Sequence, residues 1–329
     1  MNGAPEKNGP LLRVAGLHVW FALRDGGELH AVRGVDLEIT RGSRLGLVGE
    51  SGCGKSTSIL ALMGLLPASA AVAGQVVLDG ADIMAGGEPT LRPHRWRDIA
   101  MVFQGAMNAF NPVRTISWQI AEPLRMHGGG SSRAVRARVL ELLALVGIPA
   151  SRADRYPHEL SGGMRQRASI AMALACEPRV LLADEPTTAL DVMVQAQILQ
   201  LLVSLSDELG LALVLVSHDL PVIAQVCDAV AVMYAGEIVE RAPTAALFAA
   251  PRHPYTVALL EATPDLDGGT VPASIPGAPP RLDRPLPGCP FTPRCRSAFE
   301  RCTSEAPTLI ETADGRSAAC HLVPAQARP

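Results

Sequence analysis

Long hydrophobic runs are missing from this sequence, since no apolar stretch approaches the roughly 20 residues that a membrane-spanning helix needs. The formal net charge is only −3, which argues against a dedicated nucleic-acid-binding protein, because such proteins usually carry a strong basic excess. The first ten residues lack a basic start followed by an apolar run, so we expect no secretory signal. Work at a membrane would therefore depend on spans supplied by other chains.

The rest of the composition is that of a globular chain. Hydrophobic residues account for 48% and charged residues for 19%, which leaves ample apolar material for a core. A length of 329 residues predicts about two domains. Seven cysteines without a predicted signal indicate a reducing compartment, where clustered cysteines bind metal more often than they form disulfides.

The strongest motif spans residues 49–56 and reads Gly-Glu-Ser-Gly-Cys-Gly-Lys-Ser, the phosphate-binding pattern G-x-x-x-x-G-K-[ST]. Its glycines let the backbone curl and turn N–H groups toward a polyphosphate. Residues 44–48 predict a buried strand before it, and residues 57–66 predict a helix whose positive end faces the phosphates. This context disfavours the alternative of a glycine-rich turn that matches by chance. The candidate ligands are Gly49, Ser51, Gly52, Cys53, Gly54, Lys55, Ser56 and Thr57. Lys55 would reach the β- and γ-phosphates, and Ser56 would bind Mg²⁺.

A second signal lies at the end of another predicted strand. Residues 180–183 are apolar throughout, as expected for a parallel strand covered on both faces, and Asp184 and Glu185 follow them. Ligands of α/β sheets bind at the carboxyl ends of strands. Asp184 suits Mg²⁺, and Glu185 suits a general base toward water attacking a γ-phosphate. The alternative is an ordinary acidic strand end.

Two further predicted strands also end in polar residues. Residues 99–103 form a buried strand that leads to Gln104, and residues 211–216 lead into Ser217-His218-Asp219. A lone histidine is usually structural, but His218 at the end of a buried strand of this sheet could contact the γ-phosphate.

A small antiparallel sheet is predicted beside the phosphate site, with a hairpin break at residues 25–27. Trp20 and Phe21 are adjacent in a chain with only 4% aromatic residues. Core packing and stacking of one ring on an adenine base are equal alternatives for this pair. The predicted strands are Leu11–Phe21, Ala31–Ile39 and Gln75–Leu78.

Helical spacing of apolar residues predicts a helix from Ser131 to Gly147, with Ser131 or Ser132 as its N-cap. A second helix follows residues 160–166, which read Leu-Ser-Gly-Gly-Met-Arg-Gln. Ser161 is a good N-cap, and the two glycines leave the first N–H groups of this helix bare, which favours an anion. The signal is weak by itself, because many helices begin with Ser-Gly.

The last quarter of the chain differs in composition. Residues 246–329 hold 14 of the 27 prolines and four of the seven cysteines, and Pro264–Pro290 is predicted to be an extended linker. The cysteines are separated by 5, 6 and 17 residues, which does not fit the short pairs of structural zinc sites. Four thiolates could hold an iron–sulfur cluster, and zinc or unligated or paired thiols are the alternatives. These residues are Cys289, Cys295, Cys302 and Cys320.

Taken in order, the phosphate loop, the Leu-Ser-Gly-Gly-Met-Arg-Gln segment, the apolar-Asp-Glu strand and His218 resemble the ATPase subunit of an ABC transporter. The resemblance implies an α/β fold with a P-loop nucleotide-binding core, a flanking antiparallel β subdomain, an α-helical subdomain and a Pro/Cys-rich C-terminal extension. The implied bounds are 11–250 for the ATPase domain, with the helical subdomain at about 113–175, and 251–329 for the extension.

The same resemblance implies a head-to-tail dimer, in which ATP at Lys55 of one subunit is closed over by Ser161 and Gly163 of the other. Asp191 would communicate across the dimer, and Phe21 would stack on adenine, with Trp20 as the fallback. The implied catalytic residues are Glu185, His218 and Gln104. The implied Mg²⁺ ligands are Ser56, Gln104 and Asp184, and the residues that meet nucleotide across the interface are Ser161, Gly162, Gly163 and Gln166.

Two tail segments narrow the resemblance to the ATPases of oligopeptide/dipeptide importers: His253-Pro-Tyr-Thr, and residues 288–295, which read Gly-Cys-Pro-Phe-Thr-Pro-Arg-Cys. This implies two integral permease subunits, an extracytoplasmic binding protein and a second, related ATPase subunit, at the cytoplasmic face of the membrane and without nucleic acid. Some relatives with the four-cysteine pattern carry a 4Fe-4S cluster, which would hold a loop-rich tail together.

The residues after Gln104 depart from the family pattern. Many relatives carry Asp-Pro after the glutamine, whereas this chain has Gly105-Ala106, so the contact of this loop with the membrane partner is expected to differ. The rival class, a soluble ABC ATPase of DNA repair or translation, is disfavoured by the single cassette and the absence of sustained heptads. Within the importer class, sugars or metal chelates are alternative cargoes to peptides.

Overall fold

A computed structural model describes residues 9–24, 26–105, 109–263 and 274–323. The strands are β1 (Leu12–Ala22), β2 (Glu28–Ile39), β3 (Arg44–Val48), β4 (Ala70–Leu78), β5 (Ala81–Asp82), β6 (Ile99–Val102), β7 (Val180–Asp184), β8 (Ala212–Ser217), β9 (Ala229–Tyr234), β10 (Glu237–Pro243), β11 (Ile310–Glu311) and β12 (Ser317–Ala318). The helices are α1 (Lys55–Leu62), α2 (Glu88–Leu91), α3 (Ile116–Met126), α4 (Ser132–Leu145), α5 (Gly162–Ala173), α6 (Val192–Leu209), α7 (Leu220–Val226), α8 (Thr244–Ala249), α9 (Pro254–Glu261) and α10 (Glu300–Ser304).

The chain divides into two units. The phosphate-loop unit comprises Leu12–Glu38, Arg44–Asp82 and Val216–Pro329. The carboxylate unit comprises Met1–Leu11, Ile39–Ser43 and Ile83–Leu215. This division places the C-terminal residues in the same unit as the phosphate loop. The predicted boundary between the ATPase domain and the C-terminal extension, at residues 250 and 251, stays a prediction.

One sheet of the phosphate-loop unit has the strand order β2-β1-β4-β5. Its pairs β1–β4 and β4–β5 are antiparallel, as the sequence predicts. β1 and β4 pair from Leu12 opposite Leu78 to Phe21 opposite Ala70. β4 begins five residues before its predicted start, because its first residues pair with β1 although most are exposed and do not alternate between apolar and polar side chains. The predicted hairpin break includes Asp25, which lies outside the described residues.

A second set of strands in this unit has the order β11-β12-β10-β9-β3. β3 runs parallel to β9, and the other neighbours pair antiparallel. Arg241 of β10 lies opposite Ser317 of β12, so the C-terminal residues add two short strands beside β10. Sequence analysis missed this addition, because two-residue strands carry no periodic signal.

The strands of the carboxylate unit follow the order β8-β7-β6. β6 and β7 are parallel, from Ile99 opposite Val180 to Val102 opposite Ala183. Every residue of these three strands is buried. The apolar runs in the sequence therefore form strands covered on both faces, as predicted.

Helices α3, α4 and α5 of the carboxylate unit pack on one another. Their contact faces are fully buried at Ile120, Leu143 and Ile170. Ser131 caps α4 by accepting a hydrogen bond from the backbone N–H of Ala134, so the predicted cap is confirmed. The three helices lie within residues 113–175, but that subdomain boundary stays a prediction.

Residues 274–290 of the C-terminal region contain no helix or strand, as the proline content predicts. The earlier part of the predicted linker, residues 264–273, lies outside the described residues. No helix within the described ranges is long and apolar enough to cross a membrane.

Candidate functional site

The phosphate loop connects the end of β3 to the start of α1. Gly54 is the N-cap of α1, with φ 109° and ψ 0°, and Lys55 is the first helical residue. The helix thus begins two residues before its predicted start. Lys55, Ser56 and Thr57 lie in its first turn, where backbone N–H groups have no partner within the helix and attract anions.

Gly49 is required by a close approach of two backbones. A Cβ atom at this position would lie 2.1 Å from the carbonyl oxygen of Met233 and 2.8 Å from the Cys53 sulfur. No side chain fits in that space, so the loop can follow this path only with glycine at its first position.

The Lys55 side chain turns back into its own loop. Its ammonium donates to the carbonyl oxygens of Gly49, at 2.7 Å, and Glu50, at 3.0 Å, and Lys55 is only 5% exposed. Burial raises the pKa of the neighbouring Cys53 thiol, which keeps that side chain neutral. The cation of this loop is therefore held by backbone oxygens that a phosphate oxygen could replace.

Gln104 and Glu185 meet at the carboxyl ends of β6 and β7. Val102 of β6 lies opposite Ala183 of β7 in the parallel register. Gln104 comes two residues after Val102, and Glu185 comes two residues after Ala183. Gln104 Nε2 donates to Glu185 Oε2 at 2.9 Å, and Thr188 Oγ1 donates to the same oxygen at 3.0 Å. Asp184, the last residue of β7, is 4% exposed. Two donors thus fix the orientation of the Glu185 carboxylate.

The backbone is also strained at this strand end. Glu185 has φ 42° and Ala189 has φ 65°, backbone angles that residues with a Cβ atom rarely adopt. Such strain persists where surrounding contacts over-determine a conformation, and it concentrates at functional sites.

Gly105 and Ala106 follow Gln104 where many relatives carry Asp-Pro. Gly105 is described, whereas Ala106 lies outside the described residues.

The Leu-Ser-Gly-Gly-Met-Arg-Gln segment forms the start of α5. Ser161 caps the helix by accepting from the Met164 N–H at 3.3 Å. A Cβ at Gly163 would lie 2.6 Å from Val194 Cγ1 of α6, so this glycine permits close helix packing. Gln166 is 4% exposed, and its Nε2 has no hydrogen-bond partner among the described residues. The predicted Ser161 cap is confirmed, and the role of this helix N-terminus as an anion site stays a prediction.

Asp191 and His218 occupy loop positions of different character. Asp191 caps α6 by accepting from the Val194 N–H at 2.9 Å. His218 follows β8 directly and is exposed. Asp191 therefore has a structural role within its own chain, whatever else it contacts.

Trp20 and Phe21 differ in their surroundings. The Trp20 ring stacks on His30 at 4.7 Å between centroids and on His18 at 5.3 Å. Phe21 is half-buried on the opposite side of β1. The two rings therefore have different surroundings, and the assignment of Phe21 as the adenine-stacking ring stays a prediction.

The four tail cysteines are close to one another but do not form a ligand set. The Cys289 N–H donates to the Cys302 carbonyl at 2.8 Å, and all four thiols are half-buried and free of disulfides. Burial raises the pKa of Cys289, Cys295 and Cys320, so these thiols are neutral in the chain without metal. Within the described ranges, no group of three or more His, Cys, Asp or Glu side chains could hold a metal ion. The predicted iron–sulfur cluster is therefore not supported, and these thiols do not fit it as they stand.

Sequence analysis missed three side chains at these sites. Thr188 contacts Glu185, as described above, and its position one turn after the acid could have suggested this. Tyr255 Oη accepts from the Glu50 N–H at 2.8 Å, and Arg294 forms an ion pair with Glu50 at 2.6 Å. Nothing in the local sequence indicates either contact.

Two protein-family models match the chain. The model described as ABC transporter matches residues 32–188. The model described as Oligopeptide/dipeptide transporter, C-terminal region, matches residues 239–302. The two matches cover the phosphate loop, the acidic strand end and most of the cysteine-containing tail.

Similar proteins carry matching names. The chain is 48% identical to the probable peptide ABC transporter ATP-binding protein y4tR of Sinorhizobium fredii, over 88% of each chain. It is 46% identical to the dipeptide transport ATP-binding protein DppD of Escherichia coli, over 94% of this chain and 96% of that protein.

A solved structure agrees with the fold. The ATP-binding cassette MJ0796, in a dimeric post-hydrolysis state bound to ADP and Pi, superposes with a TM-score of 0.63 at 30% identity, over 71% of this chain and 98% of that chain. The predicted α/β nucleotide-binding fold is thereby confirmed. With these matches, the chain belongs to the ABC transporter ATP-binding proteins that carry the oligopeptide/dipeptide transporter C-terminal region.

Proposed function

We propose that this ABC ATPase hydrolyses ATP to energise the import of peptides, as a peripheral subunit on the cytoplasmic face of a membrane. The observation that carries the proposal is the match of residues 239–302 to the oligopeptide/dipeptide transporter C-terminal region. The identity of 46% to a dipeptide transport ATP-binding protein over 94% of this chain supports it. Peptide is thus the cargo class that we infer, and the permease subunits and an extracytoplasmic binding protein are the inferred partners.

In this function the phosphate loop would bind the ATP phosphates through its backbone N–H groups, from Gly49 to Thr57. The Lys55 ammonium would exchange its carbonyl partners for the β- and γ-phosphate oxygens. Phe21 would stack on the adenine ring. A ligand of this charge suits a helix N-terminus with a buried cation beside it.

The oxygens of Ser56, Gln104 and Asp184 fit Mg²⁺, because hydroxyl, amide and carboxylate oxygens are the hard ligands that this ion prefers. A Mg²⁺ ion usually takes few protein ligands and completes its shell with phosphate oxygens and water. When bound, it would neutralise charge on the phosphates.

Glu185 would act as the general base toward the attacking water. Its carboxylate is oriented by hydrogen bonds from Gln104 at 2.9 Å and Thr188 at 3.0 Å, both to Oε2, and a carboxylate in a fixed orientation suits a general base. His218, the exposed residue that directly follows β8, would contact the γ-phosphate. The base would thus act from a held orientation.

We further propose that the functional form is a head-to-tail dimer with a second, related ATPase subunit. The capped N-terminus of α5 would meet the partner's γ-phosphate, and Asp191 would lie at the interface. The dimeric state of the cassette MJ0796 supports the dimer, and the heteromeric form rests on the family resemblance alone. The residues that would close over the partner's ATP are Ser161, Gly162, Gly163 and Gln166.

The cargo test uses the whole transporter, purified with the integral subunits and binding protein that copurify with this chain. Reconstituted in vesicles, its ATPase rate is measured with a dipeptide, a disaccharide and a metal chelate loaded on the binding protein. We expect the dipeptide alone to stimulate hydrolysis. Stimulation by the sugar or chelate instead would reject peptide import and leave the ATPase assignment intact.

Membrane recruitment separates an importer subunit from a soluble repair or translation ATPase. We expect the chain to pellet with membranes when its integral partners are coexpressed, and to remain in the supernatant without them. Equal distribution in both cultures would favour the soluble class. The same preparation shows by mass spectrometry whether one or two ATPase chains are present.

The iron–sulfur cluster stays a prediction from the cysteine spacing. Anaerobic purification followed by iron, sulfide and zinc assays tests it. About four iron and four sulfide per chain would restore the prediction, whereas zinc without sulfide would reject it.

A further inference from the structure

Glu50, the second residue of the phosphate loop, is held by the C-terminal region at both its backbone and its side chain. Its N–H donates to Tyr255 Oη at 2.8 Å. Its two carboxylate oxygens accept from Arg294, from Nη1 at 2.6 Å and from Nη2 at 2.8 Å. All three residues belong to the phosphate-loop unit. The contact therefore joins the nucleotide motif to the tail that follows the family's ATPase domain.

The ion pair is buried on the tail side. The Arg294 side chain is 3% exposed, against 26% for the Glu50 side chain. Arg294 also donates from Nε to the Pro276 carbonyl at 2.9 Å. Its hydrogen bonds to Glu50 hold the pKa of the guanidinium above its usual range. Loss of Glu50 would leave the buried charge of Arg294 without its carboxylate partner, so the ion pair favours one conformation of the loop against the tail.

An aromatic cluster fixes the arginine in place. Tyr234, Tyr255 and Phe291 have ring centroids 4.4 to 5.4 Å apart, and none is more than 2% exposed. The chain has only 3 Tyr and 6 Phe in total, so three of its nine Tyr and Phe rings lie in this one cluster. Arg294 contacts this cluster through Tyr234: its Cζ lies 5.9 Å from the ring centroid, and its Nη1 donates to Tyr234 Oη at 3.4 Å.

The held residue contacts the phosphate-binding cation. The Glu50 carbonyl accepts from Lys55 Nζ at 3.0 Å, beside the Gly49 carbonyl at 2.7 Å. One peptide unit on each side of the Glu50 Cα thus connects the tail to Lys55. A change in the position of Arg294 or Tyr255 would alter the backbone that orients the ammonium.

We propose that Arg294 and Tyr255 are positioning residues of the ATP site, through which the C-terminal region presets the phosphate loop and so controls nucleotide affinity. The proposal rests on the phosphate loop as the ATP site. A preset loop binds its ligand more tightly because less ordering is needed on binding. The tail therefore acts on ATP binding, in addition to its packing against β10.

The experiment compares Arg294→Gln with Arg296→Gln in the full chain and in the reconstituted transporter. Arg296 lies two residues further along the chain, its side chain is 71% exposed, and it pairs with Glu261 at 3.2 Å. Arg296→Gln therefore removes the same charge as Arg294→Gln, but at a residue that does not contact Glu50. For Arg294→Gln we expect Kd and KM for ATP to rise about tenfold, with kcat at saturating ATP within about twofold. For Arg296→Gln we expect both constants to stay at the wild-type values.

Two variants approach the same contact from its other members. Glu50→Gln removes the ion pair from the loop side and leaves the tail sequence intact, so it keeps the proposal testable if Arg294→Gln does not fold. Tyr255→Phe removes only the acceptor for the Glu50 N–H and should raise Kd about threefold. The double variant Arg294→Gln/Glu50→Gln should bind ATP no worse than Arg294→Gln alone, because the two substitutions remove the same ion pair.

Folded Glu50→Gln and Arg294→Gln proteins that melt at lower temperature but bind ATP with wild-type affinity would overturn the proposal, because the tail would then only stabilise the fold. Lys55→Ala is the reference. If it loses ATP affinity while the tail variants keep theirs, the positioning role alone fails. If Lys55→Ala binds ATP normally, the phosphate-loop assignment fails as well.

Discussion

The phosphate loop and the acidic strand end hold their reactive groups in different ways. In the loop, the backbone provides the ligands, and Gly49 allows it to pass the Met233 carbonyl where a Cβ would lie 2.1 Å away. At the strand end, side chains do the work, since Gln104 and Thr188 both donate to the Glu185 carboxylate. The first region is thus sensitive to added volume, and the second to exchanged functional groups.

The largest expected effect is at the acidic strand end. Glu185→Gln keeps the shape of the side chain but removes the base, so ATP hydrolysis by the full transporter should fall about 10²- to 10⁴-fold. ATP binding should persist and trap the closed dimer, which size exclusion with ATP would detect. Glu141→Gln, an exposed carboxylate of the same unit paired with Arg138, is the control. Hydrolysis at the wild-type rate in Glu185→Gln would remove it as the base.

The next effect tests the volume sensitivity of the loop. Gly49→Ala should weaken ATP binding by about tenfold or more and lower the melting temperature, because the new Cβ must displace backbone. Gly52→Ala is the matched control, since a Cβ there meets nothing within 4 Å and only the φ of +79° is unfavourable, at a cost of about 1 to 2 kcal/mol. Calorimetric titration with ATP would measure both. Equal losses in the two variants would mean that strain, and not close approach, decides at Gly49.

A smaller effect is expected for Thr188→Val, which removes one donor to Glu185 at nearly constant volume. Loss of one hydrogen bond to a charged group should lower kcat by roughly three- to tenfold and leave KM for ATP near its wild-type value. Steady-state ATPase kinetics of the full transporter provide the measurement. An increase in KM at constant kcat would place Thr188 in nucleotide binding instead.

The smallest effect is expected inside the phosphate loop, at Cys53. Cys53→Ser should change the ATP affinity and the ATPase rate by less than about twofold, because the backbone of this residue, and not its buried neutral thiol, would face the ligand. Tight-binding titration and phosphate release measure the two quantities. A tenfold loss would contradict the distinction between a backbone site and a side-chain site.

Sequence analysis predicted those parts that contiguous residues determine. β3, the glycines and α1 are neighbours in the chain, and so are Ser131 with α4 and Ser161 with α5, so caps and loop could be assigned from local rules. The apolar runs of β6, β7 and β8 indicated fully buried strands for the same reason. Errors arose at element ends, as at the start of β4, where pairing with β1 replaces hydrophobic patterning.

The sequence by itself determined the phosphate loop, the acidic strand end and the capped helix, because each depends on the conformational preferences of adjacent residues. Only the tertiary structure decided which distant residues meet. Gln104 and Glu185 are 81 positions apart and are joined by strand register, and Glu50 and Arg294 are 244 positions apart and are joined by a buried ion pair. Contacts of this kind depend on how separate elements pack, and packing leaves no mark in the local order of residues.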